Sequence, residues 1–455
     1  MKIVFLVPSL RLSGGLGVVV EHGSRLARDH GFDVTMAITH HVDDESWAYS
    51  GLEEVRVASI SDLGGEQFDL AIATWWDTVA HLCSVSAKRT AYFVQSLEDR
   101  FFEPTDPQST LAGLTYRLGL PVVTEARWIA QVFRDLDPSL PCYVVRNGIN
   151  KSLFPLAETI DDRPDGPLRI LIEGNPGDRI KGVGDALAAV RAMVEPATVT
   201  AVAAQGGSMD GVEFRRSLTQ PELSNLMASS DVLLKLSRVE GMSGPPLEAF
   251  HRGATAVLTP VTGHDEYTHH GWNALVAGWD DVRGTARLLD LLSRDRALLL
   301  RLRRNALTTA TAWPDWDDSA AEMAVALRAI SEGPGPDMAQ IAPLLHEARF
   351  QIMRDSRVRH RLKEKVAADG AHIEKLQANW AEAATTAMAL GDQARREEAK
   401  LEDIQQRIAT LERSRWIRLL GALEGLLSRR TDRQSTRSQL RRLREDVRSN
   451  NDAVD

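Results

Sequence analysis

The chain alternates short apolar runs with amphipathic stretches, and the alternation falls into two similar blocks. In the first block, residues 3–7, 34–38, 70–74, 90–94, 122–124 and 143–145 are short runs dominated by aliphatic and aromatic side chains. Runs that are apolar at nearly every position suit strands covered on both faces, the condition of a parallel sheet between helices. Helical spacing of apolar residues lies between several of them, as over residues 18–28. The rhythm predicts βαβ units and an open, doubly wound sheet. Residues 155–167 are rich in Asp, Pro and Gly and read as a linker. The rhythm then restarts, with apolar runs at 168–172, 198–202, 232–236, 255–259 and 274–277. Trp313-Pro-Asp-Trp316 precedes a helical pattern that runs to about residue 330. The expected organisation is therefore a first α/β domain over 1–155, a second over 156–330, a Gly/Pro linker over 331–340 and a helical tail over 341–455.

The tail has its own register. From Ile373, positions 376, 380, 383, 387, 390, 394, 397, 401, 404, 408 and 411 follow alternating steps of three and four, and all but Glu397 are apolar. That is a heptad seam, weak at Ala383, Ala387 and Ala394 and strong from Leu401 to Leu411, and it predicts a homo-oligomeric coiled coil over 373–411. Over 415–430, Trp416, Leu419, Leu420, Leu423 and Leu427 share one helical face, bordered by arginines at both ends. Such a helix suits an anionic membrane surface, where arginines meet headgroups and leucines enter the interface. For both stretches the plainer possibility is packing on the chain's own domains.

Composition changes this picture little. The 455 residues are 43% hydrophobic and 26% charged, ordinary for folded domains. The net charge of −9 is uneven: eleven arginines face four acidic residues between Arg413 and Arg448, so the tail is basic and the rest strongly acidic. Two cysteines, Cys83 and Cys142, stand far apart without metal-type spacing, which fits a reducing cytoplasm. The opening Met-Lys-Ile-Val-Phe-Leu-Val reads as a strand, not a signal peptide, because a polar stretch follows at once. No apolar run reaches the roughly 20 residues a membrane span needs.

The strongest chemical signal is Glu240-Gly-Met-Ser-Gly-Pro-Pro-Leu-Glu248, placed between an expected strand and an expected helix. Ligands of open α/β sheets bind at the C-terminal ends of strands. A Gly/Pro turn there offers backbone N–H groups at a helix N-terminus, suited to phosphate or a developing anion. Glu248 could accept hydrogen bonds from vicinal ribose hydroxyls, and Glu240 from a transferred sugar. Without the strand–turn–helix context, the two glutamates would read as a helix-dipole partner and a solvated side chain. Asp135/Asp137 and Asp315/Asp317 read as turn and N-cap residues, not metal ligands. His264, Asp265, Glu266, His269 and His270 lack ligand spacing and read as a polar loop. The Gly15-x-Gly17 pair lacks the third glycine and the acidic partner of a dinucleotide fingerprint.

In this order of motifs the chain resembles retaining glycosyltransferases of family 4 type, which have the GT-B fold. The Glu240–Glu248 segment matches their E-x7-E motif. Gly14-Gly15, Asn147-Gly148-Ile149-Asn150, Lys181-Gly182, Asp231-Val-Leu-Leu, Glu248 to Gly253, Gly271 to Val276 and the Trp313/Trp316 approach continue the match over about residues 1–330. The resemblance implies two Rossmann-like domains, the first on the acceptor side and the second binding a nucleotide-sugar, with the last helix crossing back. It implies donor contacts at Gly14, Gly15, Gly241, Met242, Ser243, Gly244 and Glu248, with Glu240 and Lys181 in catalysis. Lys181 corresponds to the lysine that offsets the diphosphate. The family's usual Arg after Gly174 is Asn175 in this chain, so Arg179 is the expected substitute. The family's frequent His after the fourth apolar run is Gln95, within Tyr92-Phe-Val-Gln-Ser-Leu-Glu98, a signature similar to bacterial polysaccharide and rhamnosyltransferase-like members. Gln95 is expected to touch a sugar.

The implied reaction is retaining transfer, without metal or other cofactor, to a glycan or lipid-linked glycan. The implied setting is bacterial surface polysaccharide synthesis, in the cytoplasm or peripherally at the inner face of the plasma membrane, with no nucleic-acid partner. Rival readings are a non-catalytic sugar-nucleotide-binding scaffold and a GT-B sugar-nucleotide epimerase.

Overall fold

The computed structural model describes residues 1–413 apart from 12, 41–48, 161–165, 204–211, 217 and 337. Residues Met1–Arg357 form one compact unit containing two parallel sheets. The first sheet comprises β1 (Lys2–Val7), β2 (Asp33–Ile38), β3 (Arg56–Ser59), β4 (Gln67–Ala73), β5 (Ser86–Val94), β6 (Val122–Thr124) and β7 (Cys142–Val144), in the order β3-β2-β1-β4-β5-β6-β7. Lys2 registers with Asp33 on one side of β1, and Ile3 with Leu70 on the other. Strand order reverses between β1 and β4, and ligands of open α/β sheets bind beside such a switch point, at the C-terminal ends of the strands. The second sheet comprises β8 (Leu168–Glu173), β9 (Ala197–Ala203), β10 (Val212–Arg216), β11 (Val232–Lys235), β12 (Thr255–Leu258) and β13 (Leu275–Val276), in the order β10-β9-β8-β11-β12-β13. Its switch point lies between β8 and β11, which end on Glu173 and Lys235.

Every apolar run read from the sequence is a strand. Two strands, β3 and β10, were not expected. Both are sheet edges with exposed positions, Arg-Val-Ala-Ser and Val-Glu-Phe-Arg-Arg, so neither carries a fully apolar run. Central strands are buried almost completely, with Ile3 to Val7 at 0% exposure. Burying a large aliphatic side chain contributes about 1.5–3 kcal/mol, so β1 and its neighbours anchor the first domain.

Helix α1 (Gly14–His30) starts on the glycine loop after β1; Ser13 caps it by accepting from Leu16 N, and Gly31 ends it at φ 69°. The chain passes into the second domain through Asn147–Asn150 and returns through Trp313–Trp316. Helix α9 (Trp316–Glu332) then packs on the first domain, with Met323, Leu327 and Ile330 in one cluster with Phe5, Leu26 and Phe93. The two crossings touch: Ile149 bridges to Asp315, and Trp313 Nε1 donates to Asn147 O at 2.8 Å. A Cβ at Gly148 would lie 2.3 Å from Asp315 C, so only glycine fits there. His22 is sealed between Phe93 and Trp316, edge-on to both, and burial followed by Arg25 lowers its pKa to about 3.

Helix α10 spans Met338–Arg413. Its early residues Ile341 and Leu345 are buried in the first unit, which extends through Arg357. In the second unit, Val358 onward, the described residues are helical to Arg413. Seam residues there are open to solvent, with Ile373 and Leu376 at 53%, Trp380 at 75% and Leu401 at 59% exposure. The basic stretch 415–430 lies outside the described residues. Among the described residues, no helix is long and apolar enough to cross a membrane.

Candidate active site

Four loops meet where the C-terminal strand ends of the two sheets face each other. The first follows β1 and becomes the N-terminus of α1, where Gly14 and Gly15 are the first two helical residues. The second follows β5 and carries Gln95. A Cβ at Gly15 would sit 3.3 Å from Gln95 Oε1, so the glycine makes room for the Gln95 side chain. The loop is tied down by Glu98, which is 1% exposed and accepts from Trp76 N at 2.5 Å and Tyr92 Oη at 2.9 Å. Burial, opposed by those two donors, pushes the Glu98 carboxyl well above the usual range. The Tyr92-to-Glu98 signature is therefore a folding unit that presents Gln95.

The third loop follows β8. Asp178 caps a short 3-10 turn, Arg179–Lys181, by accepting from Ile180 N. Gly182 follows at φ 63°, and a Cβ there would be 1.8 Å from Leu236 O. Arg238 N donates to Ile180 O at 2.7 Å. These contacts press the turn onto the end of β11 and place Lys181 beside Glu240: Nζ lies 3.1 and 3.3 Å from the two carboxylate oxygens.

The fourth loop is Glu240–Ser243, which opens helix α6 (Gly244–His251). Gly241 touches the first domain, since a Cβ there would fall 1.7 Å from Gln95 O. Ser243, at the N-cap, is 7% exposed, and its hydroxyl finds no partner among the described residues. A buried hydroxyl beside the amide end of a helix suits an anionic ligand. Glu248 projects from the first turns of α6, and no described group donates a hydrogen bond to its carboxylate. Burial and then the Glu173 charge raise its pKa to about 7, against the Lys235 ammonium.

Two further groups, which no sequence motif marks, complete this cluster. Lys235, the last residue of β11, is 4% exposed and donates to Glu173 Oε2 at 2.6 Å, with Glu240 Oε1 at 3.7 Å. Burial works against its charge, but Glu173 and Glu240 outweigh burial and hold Lys235 above the usual lysine range. Glu173 responds conversely: burial pushes it up, and the Lys235 charge carries it below the usual carboxylate range. In the sequence Lys235 is the single charged position within the apolar run 232–236, and that is the available signal. Glu125, the residue after β6, accepts from Met242 N at 2.9 Å.

The structure thus brings together Glu240, Lys181, Gln95, Gly15, Gly241, Met242, Ser243, Gly244 and Glu248, with Gly14 one residue away in the same loop. Arg179 stands apart from the cluster: it is exposed and pairs with Glu103 of the first domain. Lys235 supplies the second ammonium beside Glu240. Asp315 is the N-cap of α9, accepting from Asp317 N and Asp318 N, as expected. Asp137 is spent on Ser139. Glu266 reaches across to α3 (Arg127–Leu136), accepting from Arg127 N at 2.6 Å.

Residues 170–295 match the family model described as Glycosyl transferases group 1. No curated protein matches the chain. Among solved structures, a sucrose-phosphate synthase from Thermosynechococcus elongatus is 16% identical with a TM-score of 0.60, covering 72% of this chain and 98% of its own. Anabaena HepE in complex with UDP and glucose is 17% identical with a TM-score of 0.59, covering 72% and 100%. WaaG, a glycosyltransferase involved in lipopolysaccharide biosynthesis, is 14% identical with a TM-score of 0.56, covering 73% and 100%. The shared architecture is the GT-B fold.

Proposed function

We propose that this chain, which carries a group 1 glycosyl transferase domain within a GT-B fold, transfers a sugar from a nucleotide-sugar to a glycan or lipid-linked glycan acceptor. The observation that carries the reading is the Lys181–Glu240 pair at the switch point of the second sheet, next to the N-terminus of α6 and the Ser243 hydroxyl, which has no partner among the described residues. In sugar transfer, negative charge grows on the leaving diphosphate while positive charge grows at the anomeric carbon. Lys181 and the amide end of α6 lie where the first would be offset. Glu240 would accept from hydroxyls of the transferred sugar, and Glu248 from those of the ribose. Gln95, which touches both Gly15 and Gly241, would line the sugar where the acceptor oxygen approaches.

On this reading the reaction proceeds with retention and without metal, since cationic side chains and helix amides supply the compensation a metal would otherwise give. UDP-sugars are the first donors to test, given that HepE is described with UDP and glucose. The exposed seam over 373–411 pairs copies of the chain, and the basic stretch 415–430 brings them to an anionic membrane at the cytoplasmic face. That setting suits an enzyme of surface polysaccharide synthesis acting on a lipid-linked acceptor.

The test is turnover of UDP-, GDP-, ADP- and dTDP-sugars by the full chain with lipid-linked and free glycan acceptors. Transfer should appear with one donor, and Lys181→Ala should lose about 2–4 kcal/mol of transition-state stabilisation. Unimpaired transfer by folded Lys181→Ala would overturn the site. Binding of a donor without turnover would favour the scaffold reading, and interconversion of sugar epimers without transfer the epimerase reading.

A further inference from the structure

Two separate segments converge on Glu125, and a third is tied to it through Asn147. The residue follows β6 directly and is 4% exposed, yet its two carboxyl oxygens serve different parts of the molecule. Oε1 accepts from Met242 N at 2.9 Å, inside the turn that opens α6 in the second domain. Oε2 accepts from Asn147 Nδ2 at 2.5 Å, on the chain crossing into that domain. The carbonyl of Asn147 in turn accepts from Trp313 Nε1 at 2.8 Å, on the chain crossing back. An unbroken hydrogen-bonded path therefore runs from the point where both crossings touch to the turn that carries Gly241, Met242 and Ser243.

The contact is close on every side. A Cβ at Gly241 would lie 2.7 Å from Glu125 Oε1. Trp128 Nε1 donates to Gly241 O at 2.7 Å, and Glu266 accepts from Arg127 N and Trp128 N, which fastens the opposite rim. Rotation about the crossings that separated the domains would break the Glu125–Met242 bond, because its partners belong to different domains. The Glu125–Asn147 bond lies near the pivot, where a rotation displaces atoms least.

We infer that Glu125 is a positioning residue for the donor turn, through which the interdomain hinge sets the orientation of the turn's amides. This rests on the sugar-transfer reading for its consequence but not for its geometry. Burial is the main influence on the Glu125 carboxyl; Asn147 and Met242 oppose it, and the charges of Glu240 and Glu266 add to it, leaving the group raised to about 8. Glu125 is then a neutral acid near neutral pH. Asn147 Oδ1 has no partner among the described residues, and a half-turn of that amide would present Oδ1 to the Glu125 proton. A neutral acid bonded in this way is mimicked by glutamine, which offers one acceptor to Met242 and one N–H donor to Asn147. Alanine offers neither.

The experiment compares the full chain with Glu125→Ala and Glu125→Gln. Hydrogen exchange of the ligand-free protein should quicken about ten-fold or more over 240–244 in Glu125→Ala and remain near wild type in Glu125→Gln. The β12 segment should exchange as in wild type in both, which controls for folding. With UDP-glucose as the probe, Glu125→Ala should raise the donor KM by about ten-fold while changing kcat less, and Glu125→Gln should restore KM to within about three-fold. Unchanged exchange over 240–244 in a folded Glu125→Ala protein would overturn the inference. So would a Glu125→Gln variant as impaired as the alanine variant. The exchange measurement needs no donor, so absence of sugar transfer by the wild type would refute the proposed function while leaving this test intact.

Discussion

Replacing Lys235 with methionine tests the buried charge cluster directly. The substitution keeps the length and apolar stem of the side chain, so packing against β8 and β12 changes little, and what is lost is the ammonium. Glu173 then loses a partner at 2.6 Å, and Glu240 a cation at 3.7 Å. Breaking a buried ion pair by removing one member typically costs about 3–5 kcal/mol. Glu173 retains 28% exposure of its side chain, so water can take over part of the compensation, and Glu240 keeps Lys181. The lower end applies, about 2–3 kcal/mol after that discount. For a domain of this size that is a fall in Tm of roughly 4–12 °C. The pH dependence follows from the two shifts. Glu173 is held below its usual range, so its contribution is present above the unfolded carboxylate value and fades as pH falls through the lower native one. Lys235 is held above its usual range, so its contribution is present below the unfolded lysine value and fades as pH rises through the higher native one. The loss in Lys235→Met should therefore be constant from about pH 5 to about pH 10 and shrink outside that window. Thermal melts across this range measure it, and adding Glu173→Gln to Lys235→Met should recover at least half of the loss. A Lys235→Met protein within about 0.5 kcal/mol of wild type at pH 7 would refute the reasoning, since it would mean that the pair is worth no more than a surface one.

Glu248 has a carboxyl raised to about 7, so its ionisation destabilises the native state progressively as pH rises from about 4.5 to 7. Glu248→Gln should be more stable than wild type at pH 8, equal to it near pH 4, and deficient in sugar transfer at both; melts and turnover at the two pH values check this. Excess EDTA should leave the transfer rate unchanged if, as proposed, Lys181 and the α6 amides offset the diphosphate charge; loss of rate restored by Mg²⁺ or Mn²⁺ would reopen the Asp pairs. A chain ended after Arg357 should remain folded, since Ile341 and Leu345 stay in place, but it should be monomeric and should not sediment with anionic vesicles. Equal oligomeric mass by light scattering would refute the seam's role, and equal sedimentation the role of the basic stretch.

The parts of this molecule that were legible in its sequence are those where one local rule dominates. A strand buried on both faces must be apolar throughout, so the central strands were legible, whereas the edge strands β3 and β10 obey no such rule and were not. The Glu240-to-Glu248 turn was legible because glycine and proline restrict the backbone to a strand–turn–helix corner. Lys235 and Glu125 belong to another class. Each is one charged residue next to an apolar run, and each acquires its meaning only when segments some 60 and 117 positions apart in sequence are brought to it. No periodicity records such a meeting. Burial of a charge is costly unless a partner is present, so a lysine completing Val-Leu-Leu-Lys implies an anion nearby without naming it. The fold names it as Glu173, because β8 and β11 are neighbours and end at the same level. The same reasoning separates Lys235 from Arg179. A cation on a surface loop needs no partner to stay charged, so its presence near a motif carries little information, and the structure finds Arg179 exposed, paired with Glu103. A cation closing a buried strand cannot be there without compensation, and that constraint is what makes Lys235 the better guide to the site.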